Sequence, residues 1–178
     1  MKNALVPIYR NTDLYTLFYD QDDGAIYKIP FGKKNSIVSV YLIVIALYIS
    51  GNFLNGFYQR HHSFFLDTSL VIIGIAITYF TVNKMYQVYY MKEKIRSIIL
   101  DESSLEECID KGMKQSRTEI WVIILSFLFA VVTFIAFFTV NSVKPLIFGC
   151  LCTSVFLSFI YMKPLKRRKV IKKLQSEK

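Results

Sequence analysis

The chain has 178 residues, room for a single domain of ordinary size. It is 53% hydrophobic and 16% aromatic, yet 22 Lys and Arg against 13 Asp and Glu leave a net charge of +9. A mean hydropathy of +0.37 beside that charge requires apolar and charged residues to be segregated along the chain. Such a pattern excludes a disordered tail, a fibrous repeat and a small disulfide scaffold, and it argues against a soluble nucleic-acid binder.

Residues 1–35 read as a cytoplasmic segment carrying a short β-hairpin. Two runs rich in Tyr, Phe, Leu and Ile, between Leu14 and Phe31, flank Asp22, Asp23 and Gly24. Asp-Gly supplies the positive φ that a tight turn needs. An isolated hairpin is marginal in water, so this one is expected to pack on cytoplasmic helices or to pair with a partner's strand. Asp20, Asp22 and Asp23 read as turn residues, because Gly24 stands where a calcium loop needs a third oxygen ligand.

Residues 36–178 read as an all-α membrane domain, a four-transmembrane-helix bundle with helical cytoplasmic extensions. A hydrocarbon core of about 30 Å takes about 20 helical residues to cross. Four stretches qualify, 36–53, 64–82, 120–140 and 145–162, and lipid forces such stretches into helices. Twenty of the 22 Lys and Arg fall in the N-terminal segment, the loop 83–119 and the tail 163–178, leaving only Arg60 and Lys144 in the other two loops. The excess of positive charge on one side predicts a multi-pass protein of the cell membrane with both termini cytoplasmic. The first span is expected to act as an uncleaved insertion signal.

In the loop 83–119, Met85, Val88, Ile95 and Ile99 recur at helical spacing and are expected to prolong span two as a helix. A break over residues 101–104 is followed by Ser103 and Glu106 at capping-box spacing, where a second helix should start and run into span three. The tail packs seven basic residues into the eleven positions 163–173. Lys166, Arg167, Arg168, Lys169, Lys172 and Lys173 are expected to contact anionic lipid headgroups, each contributing about 1 kcal/mol.

Small and polar residues within spans mark close helix contacts. Span one offers Ser39, Ala46 and Ser50, span two Gly74 and Thr78, span three Ser126, Ala130 and Thr133, and span four Cys150, Ser154 and Ser158. A permeation path along the same stripes is the alternative. Asp67 is the one acid within a span, about one turn inside the outer end of span two. An intramembrane carboxylate is a functional candidate, the alternative being an interfacial cap formed with Ser63. Arg60, His61 and His62 precede it and join it as candidate partner or ion contacts.

No phosphate-cradling loop, metalloprotease helix or serine-nucleophile elbow occurs. Cys150 and Cys152 are one residue apart and point to different helix faces, unlike the paired outer cysteines of a four-span thiol oxidoreductase. The predicted topology places Cys108 and the histidines on opposite sides, which disfavours a membrane Cys/His peptidase. No catalytic residue, metal or cofactor is expected.

Tyr9-Arg10, the aromatic runs 14–20 and 25–31, Pro30-Phe31 and Lys33-Lys34 stand ahead of paired spans. This order of parts resembles the tandem five-transmembrane proteins of staphylococci and relatives, over about the first 35 residues plus general architecture. That family has five spans where four are read here. The resemblance implies a non-enzymatic immunity protein that protects its cell by binding a membrane-depolarising toxin, a role also common among small basic bacteriocin immunity proteins of Gram-positive bacteria. A small transporter or accessory subunit of an export complex, with Asp67 as coupling group, is the rival. A membrane anchor recruiting a cytosolic partner is the third reading. The partners expected are anionic lipids and a protein, with no nucleic acid.

The topology predicts a labelling pattern. A cysteine placed by Ser63→Cys or Ser142→Cys should react with a membrane-impermeant maleimide in intact cells, and Cys108 only after permeabilisation. The reverse pattern would invert the orientation.

Overall fold

The computed structural model describes residues 5–11, 15–30, 51, 54–61, 63–91, 96–97 and 102–176. The elements in chain order are β1 (Leu5–Arg10), β2 (Tyr15–Asp20), β3 (Ile26–Pro30), a short helix α1 over 54–61, α2 (Phe64–Met91), β4 (Arg96–Ser97), α3 (Glu102–Val140), α4 (Val143–Tyr161) and α5 (Pro164–Ser176). They form two compact units. The first gathers Met1–Lys33, Met85–Ile123 and Ser158–Lys178, and the second Lys34–Lys84 and Ile124–Leu157.

The first unit is built on an antiparallel sheet in the order β1-β2-β3-β4. The hairpin expected from the sequence joins β2 to β3. Gly24 takes φ +66, and Asp20 N donates to Ala25 O at 2.9 Å. Asp20 itself is buried, its carboxylate accepting from Asp22 N at 3.0 Å and pinning the turn. The strand β1 was not among the expected elements, and it carries a proline, Pro7. Its position explains the exception: β1 is an edge strand whose register shifts between Pro7 and Tyr9, so the missing N–H disturbs no ladder bond that an interior strand would need.

The loop following span two departs from expectation. The helix α2 ends at Met91, and Arg96–Ser97 pair with Lys28 and Tyr27 of β3 instead of continuing a helix to Ile99. A free strand edge offers a row of unpaired backbone groups, which β4 partly satisfies. The second helix begins one residue before the expected cap, at Glu102, and runs unbroken to Val140. Its buried residues Ile109, Gly112, Ser116, Glu119, Ser126, Ala130 and Phe137 recur at steps of three, four or seven. That is one narrow heptad stripe.

Thr16, Leu17 and Phe18 are consecutive in β2 and all buried, so both faces of the strand are covered. On one side Ile8 meets Ile109 of α3 and Ile171 of α5, with Tyr19, Ile26 and Leu174 around them; on the other Leu5, Phe18 and Ile29 cluster with Tyr27. The hairpin therefore packs on the chain's own helices, the first of the two outcomes expected. Gly112 lets α3 approach β1, since a Cβ there would collide with the carbonyl oxygen of Ile8.

The tail corrects the sequence reading most. It is a helix, α5, with Pro164 at its start. Lys166, Lys169, Lys172 and Lys173 are exposed and Arg168 half-buried. Arg167, expected among them, is 1% exposed instead. Its Nη1 lies 2.9 Å from Oε2 of Glu119, which is buried too, and its Nε donates to Pro7 O at 2.9 Å. The Nη1–Oε2 approach is an ion-pair contact off hydrogen-bond alignment. Ser116 Oγ donates to Pro164 O nearby, and Arg10 N to Gln115 Oε1 at 3.1 Å. One guanidinium thus joins β1, α3 and α5.

The second unit has a core of Tyr58, Phe137, Val143 and Leu146, with Leu70, Val71, Phe134 and Cys150 packed against it. A Cβ on Gly74 would come within 2.8 Å of Cys150 Sγ, and one on Gly149 within 2.8 Å of the Phe134 ring. The close approaches expected of Gly74, Thr133 and Cys150 are therefore present, and Ser126, Ala130 and Thr78 are buried. Ser154 and Ser158 are half-buried, while Ser39, Ala46 and Ser50 lie outside the described residues. Asn55 Oδ1 accepts from Val143 N at 3.0 Å and caps α4 where the chain turns through Asn141 at φ +50.

Three described helical stretches are long and apolar enough to cross a membrane: Phe64–Gln87, Ser103–Val140 and Val143–Ser176, the last taking in α4 and α5. Phe64, Phe65, Ile72, Phe80, Phe129 and Val132 are among many large apolar side chains left exposed on them. The stretch 36–53 expected as the first span lies mostly outside the described residues.

Removing one partner of a buried ion pair strands the other, a loss of about 3–5 kcal/mol. Arg167→Ala and Glu119→Ala should each lower the unfolding temperature of detergent-purified protein sharply. The double variant Glu119→Leu/Arg167→Met should recover part of the loss, the Pro7 carbonyl remaining unpaired. Thermal unfolding of the four proteins measures both effects.

Candidate functional site

The strongest sequence candidate, Asp67, sits in the first turn of α2. The cap expected at this helix start is present but belongs to Ser63. Its Oγ accepts from Leu66 N at 3.3 Å and its carbonyl from Asp67 N at 2.9 Å. That frees the Asp67 side chain for another role, and it is 5% exposed.

Tyr58, on α1, supplies the partner. Its hydroxyl donates to Asp67 Oδ1 at 2.7 Å, the length of a charge-assisted O–H···O⁻ bond. Tyr58 is 4% exposed and its ring packs on Phe137 with centroids 5.6 Å apart. The N-terminus of α2 also favours a negative group in its first turn. Tyr58 precedes the α2 span, and burial, then the bond to and charge of Asp67, push its hydroxyl well above the usual phenol range.

The other candidates do not join this pair. Arg60 is exposed, and so is His61, whose Nδ1 lies 3.2 Å from Phe57 O and whose ring lies tilted against Phe57 with centroids 4.8 Å apart. His62 lies outside the described residues. The candidate cluster therefore separates into a buried carboxylate locked by a phenol and an exposed basic edge. Sequence reasoning missed Tyr58. The available signal was a phenol one element upstream of an isolated intramembrane acid, a group that needs a donor.

A groove of about 540 Å³ opens along the end of α3 and the start of α4. Thr133, Ala136, Ile147, Phe148 and Leu151 line it, with Lys144 contributing the charged group. The Thr133 hydroxyl is spent within its own helix, donating to Phe129 O at 2.8 Å, so the groove presents an apolar surface. The three thiols, Cys108, Cys150 and Cys152, are free. Among the described residues no three His, Cys, Asp or Glu side chains come together to hold a metal.

Losing the donor of a buried carboxylate costs about 1–3 kcal/mol. Tyr58→Phe should destabilise the protein by that amount, read from thermal unfolding in detergent. Asp67→Asn, which keeps an acceptor for the phenol, should cost less. Equal stability of Tyr58→Phe and the parent would mean that the pair is not formed. In comparisons with protein-family profiles, curated proteins and solved structures, the chain matches none.

Proposed function

We propose that the chain is a multi-pass protein of the cell membrane, with both termini cytoplasmic and 36–53 as a fourth span, that protects its cell by binding a membrane-targeting toxin. The observation that carries the reading is the state of Asp67. A transport-coupling carboxylate must meet its ion or proton along a path, whereas Asp67 is enclosed and committed to Tyr58. That favours a rigid recognition surface over a pathway. The threonines of the apolar helices support the same view. Thr78, Thr81, Thr133 and Thr153 each donate to a carbonyl one turn back in their own helix, which leaves apolar faces turned outward.

In this reading the groove between α3 and α4 receives part of the toxin within the bilayer. Lys144 and Arg60, the two basic residues of the outer loops, meet it at the surface. The aromatic, basic N-terminal segment, which resembles that of the tandem five-transmembrane proteins, agrees with this role. The rival, a transporter or export accessory using Asp67, separates cleanly from it.

Membrane potential is the test. A deletion strain should depolarise in co-culture with its parent and not alone. Complementation with Asp67→Asn should restore protection, and complementation with Ala136→Trp, which fills the groove, should not, at equal membrane levels of both variants. Unchanged potential in co-culture would sink the immunity reading. Loss of function in Asp67→Asn alone would favour transport.

A further inference from the structure

A second groove, of about 390 Å³, lies where α4 turns into α5. Ile120 and Ile123 of α3, Ile160 of α4 and Leu165 of α5 form its apolar wall, and Lys163 and Lys166 stand on the same groove. The turn itself is unusual. Lys163 has φ +51, a left-handed conformation in which glycine or asparagine is the ordinary occupant of a helix C-terminus. Its N–H donates to Ile160 O at 2.9 Å and its carbonyl accepts from Arg167 N at 3.0 Å, so the strained backbone is held from both sides. A long cation at a position where glycine would sit without strain points to a use for its side chain.

Leu165 is 67% exposed beside these lysines, and Trp121, next to Ile120, is 65% exposed. An exposed indole and leucine next to ammonium groups are the composition of a membrane interface. The size falls within the range of small-molecule sites.

We propose that this corner is a binding site for one anionic glycerophospholipid, an acyl chain lying against Ile120, Ile123 and Leu165 and the phosphodiester between the ammonium groups of Lys163 and Lys166. A zwitterionic lipid brings its own cation to the two lysines and is disfavoured; phosphatidylglycerol leaves its negative charge for them. The site is more than the diffuse attraction of a basic face, because the apolar wall and the two charges share one cavity. It rests on the membrane placement proposed above.

The test uses the full chain in detergent, titrated with phosphatidylglycerol or phosphatidylcholine and read by native mass spectrometry. The parent should retain one phosphatidylglycerol per chain in preference to phosphatidylcholine. Lys163→Gln/Lys166→Gln should weaken retention about 30-fold, the factor that two surface lysines supply. Lys169→Gln/Lys172→Gln, an equal charge change on the exposed face of α5, should leave it within about twofold, since neither lysine lines the groove. Ile123→Trp, which fills the groove with every charge intact, should also abolish retention. Equal losses from the two lysine pairs, equal retention of both lipids, or a dimer that Ile123→Trp splits would overturn the proposal, the last assigning the groove to a second copy. Carbonate extraction of membranes keeps the two readings apart: protein released into the soluble fraction refutes the membrane placement, whereas embedded protein without lipid preference refutes only the site.

Discussion

A buried guanidinium imposes the conditions that the first unit meets. Arg167 is enclosed within α5, and a charge removed from water costs several kcal/mol unless it is paired. Glu119 supplies the counter-charge from α3, and Pro7 supplies a carbonyl from β1. Both partners are distant in sequence, so α5 must fold back and β1 must lie where its carbonyl meets the Nε proton. Small residues make the approach feasible: Gly112 admits β1, and Ser116 both fits and binds the Pro164 carbonyl. Lysine does not substitute for arginine here, since the guanidinium donates from Nε to Pro7 O while Nη1 brings its charge to Glu119.

The second unit obeys a different constraint. Its helices keep large apolar side chains exposed, from Phe64 and Ile72 to Val132 and Phe148. Exposed apolar surface on this scale needs an apolar environment or a partner. Backbone groups in such an environment are satisfied inside each helix, and the threonine hydroxyls follow the same logic by bonding one turn back. Asp67 is the exception that requires a tertiary solution. Tyr58 provides it, and the ring of Tyr58 brings Phe137 into the same core.

Charge distribution links these features to the proposed roles. The exposed lysines of α5 project from a helix whose other face is held by the sheet and α3. A fixed basic face can address a lipid surface without a large ordering cost. The groove by Lys144 is apolar, and the hydroxyl in its lining, that of Thr133, bonds within its own helix, a surface suited to an apolar segment.

The local features were legible because they are local. Asp22, Asp23 and Gly24 specified the hairpin turn, since φ > 0 at Gly24 is a property of that residue. The apolar runs specified α2, α3 and α4 as long helices, and Gly74 and Cys150 marked a close contact that does form. What depended on a partner elsewhere in the chain was decided only in three dimensions. Pro7 is tolerated in β1 because an edge position makes its missing N–H harmless, and β4 exists only because β3 left an edge to pair. Arg167 was indistinguishable from its basic neighbours until Glu119 and Pro7 came within 3 Å of it, and Asp67 read as a functional carboxylate or a cap formed with Ser63 until Tyr58 reached it. Residue type determines a backbone preference or a hydrophobic stripe. The burial of a charge depends on whether its counter-group arrives, and only the tertiary structure brings the two together.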